Sequence, residues 1–597
     1  MASLLRRLRG WSRAGRPWVA AVAGTAGLLL LSQLRGQSLD AQRGAYVDCQ
    51  GCFVDMALHT DLPLLAFALA VCAALPWIGR ARIVRIVAFT ILALLSVAMA
   101  VDVGTMATLG HRLLLTDLLN YGGEVGAIAD MALPYLRNRE GLLAAGGLAL
   151  ALAGFGFALL PTPPERARWP AGVAAAVAGL AMLVGFRTPP LDYTDTAFLG
   201  NVVAIQSIDS GLRHHSKAMA RRIRALPEPA PRCEALPAVA APQSIIVVVL
   251  ESWSLHHSAL FSGLDDATPR LDAWAQRGRW FPDFVANSYS TEAALIAILN
   301  GRVPIPSHRS WGALAFSDVD ADFHRGLATR GWHTRFATTG ALHFGERAAV
   351  MTQIGIDAVE GSEHPAYVDM PRGPFEAASD RALVDRFLAW FDHERPPGPF
   401  MATLLTVGTH PPFVDTDHTD PDEAGEAAAL RRMDREVDRL LEALDARGVL
   451  ETGTVVVLGD HRAMTPIRAD EARRFGESSA SRVPAFVLGV GATPGGAVPG
   501  PYQQTDLLPS LRALIDDRDC RTSWQGRMLG PVPRPADVVV YAHPRLRNEL
   551  RVMQNGGTYR LRLDGDDTGW VGEAPTDGDA ILDEVMRQRL SRDPPEA

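Results

Sequence analysis

Hydrophobic positions fall in two different ways along this chain. Up to about residue 190 they run together in long stretches nearly free of charge, and beyond about residue 243 they are broken up by charged residues, Pro and Gly, as in a soluble domain. Five of the early stretches come close to the roughly 20 apolar residues that span hydrocarbon. They are Trp18 to Leu34, Leu62 to Ile78, Ile83 to Ala100, Leu142 to Leu160 and Ala171 to Phe186. Arg6, Arg7, Arg9, Arg13 and Arg16 precede the first; Arg80 and Arg82 separate the second from the third, and Arg166 and Arg168 the fourth from the fifth. The positive-inside rule makes those faces cytoplasmic, so whatever follows the fifth stretch is expected outside. Four further spans make the first a retained anchor rather than a cleaved signal peptide. The loop from Val101 to Glu140 then also faces outward, and its "LLLTDLLNYGGEVGAIADMALPYL" suits an interfacial segment or a surface helix pair.

After the membrane region, "GLRHHSKAMARRIRAL" (Gly211 to Leu226) is basic on one side and apolar on the other, the pattern of a helix lying on a membrane surface. A Pro/Ala-rich linker follows, from Pro227 to Pro242. "SIIVVVL", Ser244 to Leu250, is then an unbroken β-branched run, as in a strand buried on both faces of a parallel sheet. Further strands are expected at "TRFAT", "FMATLLT", "TVVVLGD" and "PAFVLGV", with helical patterns such as "RALVDRFLAWFDH" and "EAAALRRMDREVDRLLEALDARG" between them. That alternation predicts an α/β domain with a largely parallel central sheet. "RVMQNGGTYRLRL" predicts a hairpin at the domain edge, and the last dozen residues, charged and Pro-containing, a disordered tail. The 597 residues thus divide into a transmembrane domain of about five helices (1–190), a juxtamembrane helix and linker (191–242), an α/β domain (243–575) and a C-terminal tail (576–597).

Five cysteines are too few for a disulfide framework; Cys49 and Cys52 form a Cys-x-x-Cys that reads as a local disulfide, with a redox or metal pair as the alternative, while Cys233 and Cys520 are far apart along the chain. Lys217 is the only lysine, which excludes Schiff-base chemistry from the soluble domain. In an open α/β sheet ligands gather beyond the carboxyl ends of the strands. There the first strand delivers Glu251, the run from Thr454 delivers Asp460 and His461, and the run from Phe400 leads to His410. Two carboxylates and two imidazoles at one edge suit zinc or manganese. "NSYSTEAALIAILNGR" adds a hydroxyl-rich entrance to an apolar helix. Its hydroxyls either cap the helix or hold a nucleophile, Thr291, against an anion at the helix N-terminus; the two roles are compatible.

"TEAALIAILNGR" resembles the nucleophile segment of the sulfatase and alkaline phosphatase superfamily, with Thr291 and Gly301 in the family spacing. "LESWS", "TPRLDAWAQRG", the nucleophile helix, "THPPF" and "GDHRAM" come in the order seen in lipoteichoic acid synthase-like phosphoglycerol transferases. The resemblance implies five N-terminal spans in a bacterial inner membrane and an extracytoplasmic, periplasmic sulfatase-like domain. It implies that Glu251, Thr291, Asp460 and His461 hold one divalent metal, manganese in the first instance with zinc or magnesium as alternatives. Thr291 would also be the nucleophile, with His410 and Arg347 contacting the substrate phosphate. The family's aromatic position beside that arginine holds Gly345 here. Neither His343 nor Ser290 has a matched role. The implied function is transfer of phosphoglycerol from a membrane phospholipid, phosphatidylglycerol, to a glycan or polymer hydroxyl through a phospho-threonine; no nucleic-acid partner is expected. The alternatives are a phosphodiesterase, a phosphoethanolamine transferase, a sulfatase-like hydrolase or a non-catalytic membrane scaffold. Thr291 ranks the formylglycine sulfatases lower, since they need Cys or Ser. The absence of several disulfides, and "ESW" in place of a Gly-Glu-Thr opening, rank the phosphoethanolamine transferases lower.

Overall fold

The computed structural model describes residues 2–41, 52–78, 82–109, 112, 114–115, 135–160, 199–206, 215–226, 232–235, 241–305, 322–414, 416–417, 425–493, 495–516, 518–521, 524–543 and 546–592. The chain divides into two compact units: Met1–Leu119, Met131–Asp209 and Thr465–Arg473 in one, and Asn120–Asp130, Ser210–Met464 and Arg474–Ala597 in the other.

The main elements of the first unit are α1 (Ala2–Ala41), α2 (Cys52–Ile78), α3 (Arg82–Leu109) and α4 (Arg139–Ala158). Each holds a segment long and apolar enough to cross a membrane: Val19–Asp40, Met56–Ala74, Arg82–Thr108 and Arg139–Ala158. These correspond to four of the five expected spans. The fifth, Ala171 to Phe186, lies outside the described residues, as do Cys49, the Cys52 side chain and most of the loop from Val101 to Glu140. Lipid gives apolar helices no hydrophobic reason to associate, so close backbone approach has to supply the contact. Gly24 and Gly27 of α1 meet Gly147, Ala151 and Gly154 of α4 so closely that a Cβ on Gly27 would lie 2.5 Å from the Gly147 carbonyl oxygen. Near the end of α1, buried Arg35 donates to Asp61 and to the Leu199 and Gly200 carbonyls, and Arg112 forks onto Asp102 and reaches Gly200. Near the start of α3, Arg85 donates to the Leu159 carbonyl at 2.8 Å. Leu159 and Leu199 therefore lie at opposite ends of the helices.

The second unit is built on an eight-stranded sheet: β1 (Ser244–Leu250), β2 (Arg279–Trp280), β3 (His333–Thr338), β4 (Ala358–Glu360), β5 (Phe400–Leu405), β6 (Thr454–Gly459), β7 (Ala485–Gly489) and β8 (Gly496–Ala497). Their order is β8-β2-β7-β6-β1-β5-β3-β4, and β7 alone runs antiparallel to its neighbours. The expected strands are all present. β1 is buried along its whole length because both faces are covered. Ile245, Val247 and Val249 pack with the helix α5 (Thr291–Asn300), and Ile246, Val248 and Leu250 with Leu271, Leu383 and Leu440 on three helices of the opposite face. Each such side chain contributes about 2 kcal/mol on burial. Pairing of Leu250 with Gly459 and of Val249 with Leu405 brings three strand ends to one edge.

Three readings from the sequence change here. The linker contains a strand, Arg232–Ala235, paired with Arg518–Arg521 and joined to it by a Cys233–Cys520 disulfide. The basic helix, Lys217–Arg224, buries Ala220 and Ile223 against Met586 and Leu590 rather than presenting them to lipid. Those partners belong to a helix, Gly578–Arg592, that occupies most of the expected disordered tail. The predicted hairpin forms, turning at Asn555 and Gly556 with positive φ, but within a separate four-stranded antiparallel sheet.

Candidate active site

Glu251 follows β1 and Asp460–His461 follow β6, so adjacent parallel strands deliver all three to one buried point. Ser252 fixes them. Its φ of 57° lies in the left-handed region that non-glycine residues avoid. That bend aims its N–H at Asp460 Oδ1 (2.8 Å) and lets its hydroxyl donate to Glu251 Oε1 (2.8 Å). The His461 N–H donates to Asp460 Oδ1 at 2.6 Å. His461 Nδ1 lies 2.9 Å from the Arg462 carbonyl, so it carries the proton of the neutral ring and Nε2 keeps its lone pair toward the site. Below this layer Thr406 accepts the Glu251 N–H, the Thr409 hydroxyl donates to the Glu251 carbonyl, and Gln504 donates to the carbonyls of Gly459 and Asp460.

α5 brings the hydroxyl. Ser290 is its N-cap in extended conformation and Gly301, at φ 66°, ends it, so the motif spacing from Thr291 to Gly301 is the length of one helix. Thr291 Oγ1 donates to Glu251 Oε2 at 3.0 Å and lies 3.3 Å from His461 Nε2. Ser290, by contrast, makes no capping bond, and its buried hydroxyl has no partner. Of the two hydroxyls, only Thr291 reaches the acidic cluster.

The electrostatics call for a cation. Burial opposes the Glu251 charge, yet His461 and His410 hold its carboxyl below the usual range. Burial and the Glu251 charge push Asp460 up to about 8. His461 is depressed by burial but raised overall by Asp460 and Glu251. Two buried carboxylates this close resist joint ionisation. Asp460 Oδ2 has no hydrogen-bond partner although it is buried, and ligand atoms of Glu251, Asp460 and His461 all lie within 4.8 Å of one another. An orphaned carboxylate oxygen, a second carboxylate and an imidazole lone pair fit a divalent metal. A second cluster, His256, His257 and Glu426, fits one less well. His257 Nδ1 accepts the Ser254 N–H at 3.1 Å, which leaves the proton on Nε2, donated to Glu426 at 3.1 Å. Burial takes His257 down to about 4, so it stays a neutral hydrogen-bonding ring at pH 7.

His410 stands on the loop after β5. Asp380 accepts the Val407 and Gly408 N–H groups (2.9 and 3.1 Å) and shapes that loop. His410 Nδ1 contacts the Pro411 carbonyl at 2.6 Å, its ring packs on Phe375, and burial lowers its basicity against the pull of Glu251. Arg347 is buried and donates to Glu292 Oε1 at 3.1 Å. The glycine in the family's aromatic position has a steric reason: a Cβ on Gly345 would lie 2.7 Å from Glu292 Cγ. His343 is exposed beside Glu363. Sequence reasoning missed Ser252, Asp380 and Glu292. Glu292 and Asp380 each look like ordinary first-turn helix acids, and nothing in "ESW" announces a left-handed serine.

Residues 243–516 match the Sulfatase family model, and this stretch is a sulfatase-family domain. Similar solved structures include the lipooligosaccharide phosphoethanolamine transferase A (EptA) of Neisseria meningitidis, at 14% identity and a TM-score of 0.47 over 83% of this chain and 95% of that one. The lipoteichoic acid synthase LtaP of Listeria monocytogenes has 15% identity and a TM-score of 0.45 over 63% and 96%. A protein of the alkaline phosphatase superfamily from Vibrio parahaemolyticus has 17% identity and a TM-score of 0.45 over 63% and 93%. No curated protein matches the chain.

Proposed function

We propose that this sulfatase-family domain is a metal-dependent phosphotransferase that moves phosphoglycerol from phosphatidylglycerol to a glycan or polymer hydroxyl by way of Thr291. The observation that carries the reading is the Thr291 hydroxyl at the N-terminus of α5, within hydrogen-bonding reach of both Glu251 and His461. A divalent cation held by Glu251, Thr291, Asp460 and His461, manganese in the first instance, would supply Lewis acidity that lowers the hydroxyl pKa and draws charge from the phosphoryl oxygens. Thr291 Oγ1 then attacks phosphorus and gives up its proton, the bond to the diacylglycerol oxygen breaks, and His410 relays that proton to the leaving oxygen. In the second half His410 takes the proton of the acceptor hydroxyl, which attacks phosphorus, and returns it to the departing Thr291 oxygen. Arg347 and the free amides of α5 hold the phosphate while this happens.

A tethered site meets its lipid donor at high effective concentration, and the four candidate spans supply the tether. The Arg-rich N-terminus supports a topology with the Leu159 end of the helices in the cytoplasm and the Leu199 end outside, and with it an extracytoplasmic, periplasmic catalytic domain. Phosphoethanolamine transfer is a second reading. The disulfide between Cys233 and Cys520 removes part of the ground for ranking it lower, and the Thr291 geometry serves either headgroup.

The test is incubation of the full chain, loaded with manganese, with phosphatidylglycerol or phosphatidylethanolamine, followed by mass analysis of the Thr291 peptide. A phosphoglycerol adduct supports the first reading and a phosphoethanolamine adduct the second. Turnover that survives Thr291→Ala, or no adduct from either lipid, would overturn both.

A further inference from the structure

The Arg347–Glu292 pair raises a problem for any anion-binding role of Arg347. A carboxylate already occupies the guanidinium, and it belongs to the residue next to the nucleophile. The side chains are 7% and 15% exposed, and Arg347 Nε is buried without a partner, so the guanidinium keeps donor capacity in a place water hardly reaches. The seat of Glu292 is built at some cost. Gly345 and Glu346 both have positive φ (60° and 52°), the second in a non-glycine residue, and only a missing Cβ at Gly345 leaves room for Glu292 Cγ. Glu292 directly follows Thr291 in the chain, which sets its charge beside the proposed nucleophile.

We propose that Glu292 is a charge filter for the phosphate site: it holds Arg347 until a donor phosphate displaces it, and its carboxylate then selects monoanionic phosphodiesters over dianionic phosphomonoesters. The inference rests on the phosphotransferase reading and adds to it the ionic class of the substrate. Coulomb repulsion grows with each ligand charge, so a neighbouring carboxylate weakens a monoanion once and a dianion twice; partly screened, each step is about tenfold. A diester donor and a diester product both carry one charge on the transferred phosphorus, whereas phosphate and monoesters, the natural competitors in a phosphate-binding cleft, carry two at alkaline pH. Glu292 is on this view a positioning and specificity residue.

Binding to the full chain loaded with manganese tests it by calorimetry at pH 8, with glycerol 3-phosphate as the dianion and dimethyl phosphate as the monoanion. Glu292→Gln is expected to bind the dianion about a hundredfold and the monoanion about tenfold tighter, narrowing the preference for the diester by about tenfold. Glu292→Asp, which keeps the charge, is expected to stay close to wild type, and Arg347→Gln to weaken both ligands. Affinities of Glu292→Gln within twofold of wild type for both ligands, or a Glu292→Asp protein that behaves like Glu292→Gln, would overturn the proposal. Thermal melts of the variants confirm that each is folded. Since binding is read without turnover, a Thr291 adduct with no change in selectivity sinks the filter and spares the function, and the reverse result does the opposite.

Discussion

Asp380 offers a prediction whose sign is fixed by the structure. Its carboxylate is 6% exposed and accepts two backbone N–H groups from the loop that carries His410. Burial outweighs those two bonds and, with the nearby charges of Glu436 and Asp417, pushes the carboxyl from its ordinary 3.8 up to about 6. A folded-state value above the unfolded one means that the folded protein holds its proton longer. Stability from this group is therefore greatest in acid, falls as pH rises from near 4 to near 6, and stays low above that. The full loss is about 3 kcal/mol. Asp380→Asn removes the ionisation and keeps an oxygen for the two N–H groups, at a cost of about 1–2 kcal/mol for its buried amide donors. The assay compares unfolding of the full-length wild type and variant by tryptophan fluorescence at pH 4.5 and pH 8. The wild type is expected to lose about 2–3 kcal/mol relative to the variant between those two conditions. A stability difference that does not change with pH, or a wild type that gains on the variant as pH rises, would refute the argument that burial controls this carboxyl.

Other outcomes follow from the same geometry. Thr291→Ala should abolish adduct formation and reduce transfer by at least about a thousandfold, while Thr291→Ser keeps a measurable fraction, as judged by labelled lipid release. Asp460→Asn should retain the fold yet lose bound metal, because the amide presents either an N–H₂ donor or a weaker neutral oxygen where the orphaned carboxylate oxygen was; metal content after desalting is the readout. Cys233 and Cys520 close a separation of 287 residues, so Cys233→Ser should lower stability by about 3–5 kcal/mol, and reduction should shift gel mobility only in the wild type. Gly154→Leu should separate α1 from α4, since even a Cβ there lies 2.3 Å from the Gly24 nitrogen; cysteine crosslinking between the two helices should fall.

Much of this protein was legible in order along the chain. Unbroken apolar runs can be satisfied only in lipid or in a doubly covered strand, and length separates the two cases, which is why α1 to α4 and the strands β1, β5 and β6 were all expected from pattern alone. Glu251, Asp460 and His461 were readable because a parallel sheet sends every strand's C-terminal residue to one edge. The sequence could name these residues but not their angles. That Ser252 bends left-handed to bond both carboxylates, that Thr291 rather than Ser290 reaches Glu251, and that Glu292 occupies Arg347 depend on side chains from different strands and helices converging within a few ångströms. The same holds for the disulfide inside the supposed linker and the helix inside the supposed tail. Pro and Ala content marks the first segment as a linker and charge with Pro marks the second as a tail, and partners hundreds of residues away, Cys520 for one and Ile223 for the other, supply the covalent bond or buried surface that orders them. Periodicity is a property of neighbours along the chain, whereas pairing of a charge, a thiol or a hydroxyl is settled by whichever group the fold brings across from it.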